Sequence, residues 1–200
     1  MIPHRIRVSN AVAWLGSIGV LTALMSGCHQ THRPAPSGPP PTKAPTTSAA
    51  PAPPPMVKIA PLPVRPVTKS HPTTPATTCP EMGPNVPVAP TDVLDTCDIG
   101  RTTVYALGPE TLQLALIHVD PPRALTADFY EVTLVLDSPS AAAWASFTAA
   151  HVQDHVAFIR DNLVLEAPII EEQVASGRIV LTTQTAEGAA QLAQLAGRPL

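Results

Sequence analysis

The chain has 200 residues, 26 of them proline, and nineteen of those prolines lie between Pro34 and Pro90. Helical and sheet cores do not ordinarily tolerate that density, so the folded part is expected C-terminal to it. Roughly 100 residues then remain, which admits one modest domain and excludes a large multidomain enzyme and most cofactor-binding α/β folds. The net charge of −3 is unevenly spread. From Cys28 to Pro90, Arg33, Lys43, Lys58, Arg65 and Lys69 stand against Glu81, a balance of +4. From Thr91 onward 14 acids stand against 5 arginines, a balance of −9. An acidic C-terminal part disfavours nucleic acid, which demands clustered Lys or Arg. A mildly basic stretch before it suits an anionic membrane surface, or simply solubility.

In chain order, Arg5 and Arg7 give a short basic start, and residues 11–25 (AVAWLGSIGVLTALM) form an apolar run of fifteen. A bilayer span needs about 20 such residues, so the run fits the apolar region of a signal peptide better. It ends in Leu24-Met25-Ser26-Gly27-Cys28. The small residues followed directly by cysteine resemble a bacterial lipobox, with Met25 where Leu, Val or Ala is commoner. The resemblance implies a signal peptide over 1–27, cut between Gly27 and Cys28, and a diacylglycerol thioether with further acyl chains such as palmitate on Cys28. Several acyl chains anchor firmly, at roughly 0.8 kcal/mol per buried CH₂. The expected location is therefore the outer, extracytoplasmic face of the cell membrane, with membrane lipid as one partner. The alternatives are plain secretion or an uncleaved anchor.

Residues 28–90, rich in Pro, Thr, Ala and Ser, are expected to be a disordered tether, because such a composition buries too little apolar surface to offset ordering. Thr46, Thr47, Thr73, Thr74, Thr77 and Thr78 lie among prolines, a setting that permits O-glycosylation. Cys79 and Cys97 remain once Cys28 is assigned to lipid, and in an exported chain this even pair predicts a disulfide. Closing such a loop contributes roughly 3 kcal/mol.

The folded domain is expected over 91–200. Residues 102–107 (TTVYAL) read as a strand, stopped by Gly108-Pro109, and 112–119 (LQLALIHV) as a second, stopped by Pro121-Pro122. Residues 129–136 (FYEVTLVL), β-branched and aromatic, form the clearest strand. Ser138 followed by Pro139 reads as an N-cap and first helical turn, opening a helix to about Val152 whose inner face carries Ala143, Trp144, Phe147, Ala150 and His151. A short strand over 156–159 and another over 163–165 are joined by a tight turn at Asp161-Asn162. Ile170 and Val174 suggest a short helix before Gly177. A strand follows over 178–183, then a helix capped by Thr185, favoured by Glu187 and lined inside by Ala189, Leu192, Ala193 and Ala196. The sum is an α+β fold, two helices packed on a mainly antiparallel sheet.

The order of these elements over 130–199 resembles the head of the first periplasmic domain (P1) of SecD, an accessory subunit of the Sec export machinery. The resemblance rests on Val132 to Leu136, the helix with Trp144 and Phe147, and the phrase Val156-Ala157-Phe158-Ile159-Arg160-Asp161-Asn162-Leu163-Val164-Leu165-Glu166-Ala167-Pro168. Gly177-Arg178-Ile179-Val180-Leu181 and the alanine-rich helix after Glu187 complete it. The layout as a whole resembles proline-rich lipoproteins of actinobacteria. Asp161-Asn162 stands where that family often has Asp-Gly, and Ser176-Gly177 where it often has two glycines. SecD also has transmembrane helices that couple its periplasmic domain to proton flow, and this chain shows no second apolar run of spanning length. The resemblance implies a fold, a surface location and contact with an envelope or export-related protein.

Other candidate sites read as structural. His151 and His155, with Asp154 nearby, lack the His-Glu-x-x-His pattern of zinc enzymes, and His118 beside Asp120 reads as a hydrogen-bonded histidine. Ser138, Ser140, Ser146 and Ser176 sit in no Gly-x-Ser-x-Gly, and Glu166, Glu171 and Glu172 read as solvated acids rather than a glycosidase pair. The ten glycines form no phosphate-cradling loop. No catalytic, metal or cofactor residues, no nucleotide and no nucleic acid are therefore expected. The reading is a non-enzymatic, lipid-anchored binding or accessory protein. The alternatives are a passive structural or antigenic surface lipoprotein and a cell-wall hydrolase.

Overall fold

The longest strand among the described residues comes from the proline-rich stretch. In the computed structural model, which describes residues 58–81, 83 and 86–200, β1 runs over Leu62–Pro72 and includes Pro63, Pro66 and Pro72. Proline is compatible with a strand where only its carbonyl is needed. At Pro66 the carbonyl accepts the Gly108 N–H at 2.9 Å, and the next residue, Val67, donates to His155 O at 2.8 Å. A Cβ on Gly108 would meet Pro66 Cγ at 2.9 Å, so this close approach requires glycine.

The remaining elements follow in order: β2 (Leu94–Cys97), β3 (Thr103–Leu107), β4 (Leu112–Leu114), β5 (Leu116–Val119), β6 (Arg123–Ala124) and β7 (Tyr130–Leu136). After them come α1 (Ser138–Ala150), β8 (Val156–Arg160), β9 (Leu163–Glu166), β10 (Arg178–Thr183) and α2 (Ala186–Ala196). Their ladders make two antiparallel sheets. The first has the order β2-β3-β1-β8-β9 with β4 also on β1, and the second the order β10-β7-β5 with β6 also on β7. The α+β class with two helices stands, built on two sheets where one was expected.

Both faces of β8 are covered, which is why all five of its residues are buried. Val156 and Phe158 join the main core with Leu62, Leu114, Leu134, Trp144, Leu181 and Leu192. Ala157 and Ile159 join a second cluster with Leu94, Leu107 and Val164, against which Val67 and Val88 pack.

The expected tether over 28–90 is corrected in its described part by these contacts: residues 58–81, 83 and 86–90 belong with the fold expected from 91. Ala60 N–H donates to Arg198 O at 2.9 Å, and Leu200 N–H to Lys58 O at 3.0 Å. Arg65, 3% exposed, donates to the carbonyls of Asp92 at 2.5 Å, Gly108 at 3.1 Å and Ala89 at 3.1 Å. The buried Arg160 holds Ala60 O at 2.8 Å and Pro61 O at 3.0 Å, and burial pulls its pKa down. Composition hid this, because the partners are carbonyls far along the chain. Residues 28–57, including Cys28, lie outside the described residues, as does the expected signal peptide.

The strand expected over 112–119 divides at Ala115, where the chain leaves the first sheet for the second. Ala115 N–H donates to Ser140 Oγ at 2.9 Å, and its carbonyl accepts the Asp137 N–H at 3.1 Å. The start of α1 is thereby fixed at the crossing point. The N-cap is Asp137, not Ser138: its side chain accepts from Ser140 N–H at 2.8 Å. The helix ends at Ala150, and its buried residues are Ser140, Trp144 and Thr148. Phe147 stacks on Trp144 at 5.7 Å and on His151 at 4.2 Å at the margin of that face, while Ala150 is exposed. The short helix expected at Ile170 and Val174 is irregular chain instead. Ile170 exchanges backbone bonds with Gln153 and Asp154, and Val174 N–H donates to Thr148 Oγ1 at 2.9 Å. The turn at Asp161-Asn162 forms as expected, with φ of 52° and 58°. Thr185 caps α2 by accepting from Gly188 N–H at 2.9 Å.

Candidate functional site

A cleft of about 530 Å³ opens beside β9 and β10. One wall comes from the β2–β3 turn and β3, with Asp98, Thr102 and Tyr105; the other comes from β10 and the start of α2. His155 and Glu166 lie between them. Among the described residues, no Lys or Arg lines it.

Glu166 ends β9, the outer strand of the first sheet. Its carboxyl oxygens accept the Thr182 N–H at 2.7 Å and the Thr182 hydroxyl at 3.3 Å, bridging to β10. Burial pushes this carboxyl up to about 8, against the lowering effect of those two hydrogen bonds. The sequence reading of Glu166 as a solvated acid is therefore corrected. The cleft is lined by Glu166 but by neither Glu171 nor Glu172. Tyr105 is also raised, by burial first, then by Asp98 and Glu166.

His155 Nε2 lies 2.9 Å from Ala167 O, and a carbonyl only accepts, so that nitrogen carries the hydrogen. The imidazole meets Tyr105 edge-on, with ring centres 6.5 Å apart. Asp98 is held by its own turn, accepting from Thr102 N–H at 2.7 Å, Thr102 Oγ1 at 2.6 Å and Thr103 N–H at 3.1 Å. The hydroxyls of Thr183 and Thr185 and the amides of Gln184 and Gln191 complete a lining that offers hydrogen bonds to a polar ligand.

The other sequence-singled residues lie apart. His151 Nδ1 pairs with Asp154 at 2.8 Å near the end of α1. His118 faces Asp120 at 3.2 Å, and Asp120 also takes Arg178 at 2.6 Å. No group of three metal-ligating side chains converges among the described residues. Cys79 and Cys97 are disulfide-bonded, with Cα atoms 5.7 Å apart. Tyr105 and Thr182 escaped the sequence reading. The one available signal was an acid, Glu166, closing an apolar strand just before Pro168.

Residues 118–197 match the family described as SecDF, P1 head subdomain. The protein translocase subunit SecD of Mycobacterium tuberculosis, in strains CDC 1551 and H37Rv, is 34% identical over 91 residues, covering 42% of this chain and 15% of that protein. SecD of Rhodothermus marinus is 36% identical over 52 residues, covering 26% and 8%. The match thus spans a small part of these relatives. Two solved SecDF structures align at 19% identity. One, described as a membrane component that enhances protein export, has a TM-score of 0.44 over 72% of this chain and 64% of that one. The other, in a super-membrane-facing form, has a TM-score of 0.42 over 70% and 19%. No helix among the described residues is long and apolar enough to cross a membrane. His155, Glu166 and Thr182 fall inside the matched segment, while Asp98 and Tyr105 fall outside it, so residues 118–197 form a SecDF P1 head-like domain to which residues 58–117 add one wall of the cleft.

Proposed function

We propose that this chain is a non-enzymatic accessory or binding protein of protein export, carried outside the cell membrane by acyl chains on Cys28. Its P1 head-like domain meets an exported polypeptide or a protein of the export machinery at the Glu166 cleft. The observation that carries the reading is the match of residues 118–197 to the P1 head. It is supported by relatives that are translocase subunits and by a cleft rich in hydrogen-bonding groups without a cationic lining.

The test is photocrosslinking in intact cells, with the crosslinker at Thr185 or Gln191 in the cleft and, as control, at Val93 away from it. Crosslinks to secreted chains or Sec components from the cleft positions alone support the reading. An identical set of products from all three positions overturns it. The anchor is tested separately: intact mass of the mature chain should show Cys28 as the acylated first residue, and Cys28→Ser should release the protein from membranes.

A further inference from the structure

One wall of the cleft is the edge of a sheet. Beyond Glu166 the chain continues its ladder with the segment leading into β8: Val156 N–H donates to Pro168 O at 3.0 Å, and Ile170 N–H to Asp154 O at 2.9 Å. His155 and Ile169 form the antiparallel bridge between those two bonds. In such a ladder successive residues turn their backbone groups to opposite sides. Pro168 and Ile170 therefore face β8, while Ala167 and Ile169 present theirs away from it. Both of these line the cleft. The Ala167 carbonyl is taken by His155 Nε2 at 2.9 Å. Among the described residues, the Ala167 N–H and both the N–H and the carbonyl of Ile169 meet no partner.

Adjoining edges are covered. On β9, Val164 O accepts the Ile99 N–H at 3.0 Å. Across the cleft, β10 is the outer strand of its sheet. Its Arg178 N–H is met by Ser176 Oγ at 3.3 Å and its Thr182 N–H by the Glu166 carboxyl at 2.7 Å. An open strand edge is a template for another chain, and folded proteins ordinarily cover it. Ala167 and Ile169 are left open where the edge borders a cavity of about 530 Å³.

We propose that the cleft takes an extended, unfolded polypeptide segment as an added strand on this edge, paired through Ala167 and Ile169. In antiparallel register one peptide residue exchanges both backbone bonds with Ile169, and the carbonyl two residues further on accepts the Ala167 N–H. Main-chain pairing selects an extended backbone rather than a sequence. The lining adds a charge preference. Its carboxyl groups are Asp98 and Glu166, and among the described residues it has no Lys or Arg, so chains carrying Lys or Arg are taken ahead of acidic ones.

This rests on the cleft being the binding site, which crosslinking tests; the mode of binding is tested with a peptide. The probe is an acetylated and amidated heptapeptide of alternating Thr and Val with a central Lys, titrated into the isotope-labelled full chain and followed by NMR. Saturable binding is expected, with amide-exchange protection at Ala167 and Ile169 rising by about tenfold or more at saturation. N-methylation of the central residues of the peptide leaves its side chains unchanged and should weaken binding by about tenfold or more. Ile169→Pro should do the same, because it removes an N–H that the fold does not use, at an edge position that suits proline. Equal affinity for the two peptides, or for the methyl-free peptide in wild type and a folded Ile169→Pro, overturns strand pairing and leaves the crosslinking result standing. No binding of the probe up to about 1 mM overturns it as well. If Ile169→Pro does not fold, peptide methylation decides alone.

Discussion

Residues 118–197 and residues 58–117 reach order by different routes. The first segment carries its instructions locally. Asp137 and Thr185 cap the two helices, Asp161-Asn162 makes the tight turn, and alternating residues of β7 and β10 fill the core. The second has few such signals and, among its described residues, no helix. It is held by partners distant in sequence: Arg65 on loop carbonyls, the Cys79–Cys97 bond, and β1 shared among β3, β4 and β8. A proline-rich segment with little local preference is thus held as a central strand by the ladders it shares with distant neighbours.

That difference can be broken most severely where the two segments share a core. Phe158 is fully buried against Trp144, in the cluster spanning both. Phe158→Ala should cost about 3–5 kcal/mol and melt both segments in one transition. Two separate transitions in calorimetry would show that 58–117 is not integral to the fold. Reducing the Cys79–Cys97 bond should cost about 3 kcal/mol and raise amide exchange in β2 before it rises in α2. Unchanged melting after reduction would mean that this loop is held by other contacts. Arg65→Met removes three bonds to carbonyls of Ala89, Asp92 and Gly108. It should cost about 2 kcal/mol, with exchange rising at Asp92 and Gly108 while β7 stays protected. Uniform exchange across the protein would erase the contrast.

The smallest effect is the most local. Asn162 has φ of 58° and its side-chain amide donates to Gly83 O at 3.1 Å and Val86 O at 2.7 Å. Asn162→Gly keeps the turn and removes this link, so it should cost under about 1 kcal/mol while loosening residues around Val86 in exchange measurements. A loss of several kcal/mol would place the turn itself at fault. Asn162 thus ties the proline-rich loop to the hairpin.

Legibility followed the range of the interactions. The hairpin at Asp161-Asn162, the strand before α1 and the Thr185 cap were readable because turns, alternation and caps act within a few residues. The cap at Asp137 was misplaced by one residue, since Asp and Ser are equally able caps and only the Ala115 contact picks the frame. Trp144 was rightly placed inside, but Ser140 and Thr148, polar and buried beside it, were not. They bond to the Ala115 N–H and the Trp144 carbonyl, partners that helical periodicity does not weigh.

By itself the order of residues determined the α+β class, the likeness of 130–199 to a SecD head and the cysteine pair, because each depends on local pattern or parity. Only the tertiary structure decided that the proline-rich residues of β1 belong to the fold, that the chain switches sheets at Ala115, and that Glu166 is a half-buried acid bonded to Thr182. Those outcomes depend on which backbone groups lack partners and how much water is excluded, and both are set by segments up to a hundred residues apart.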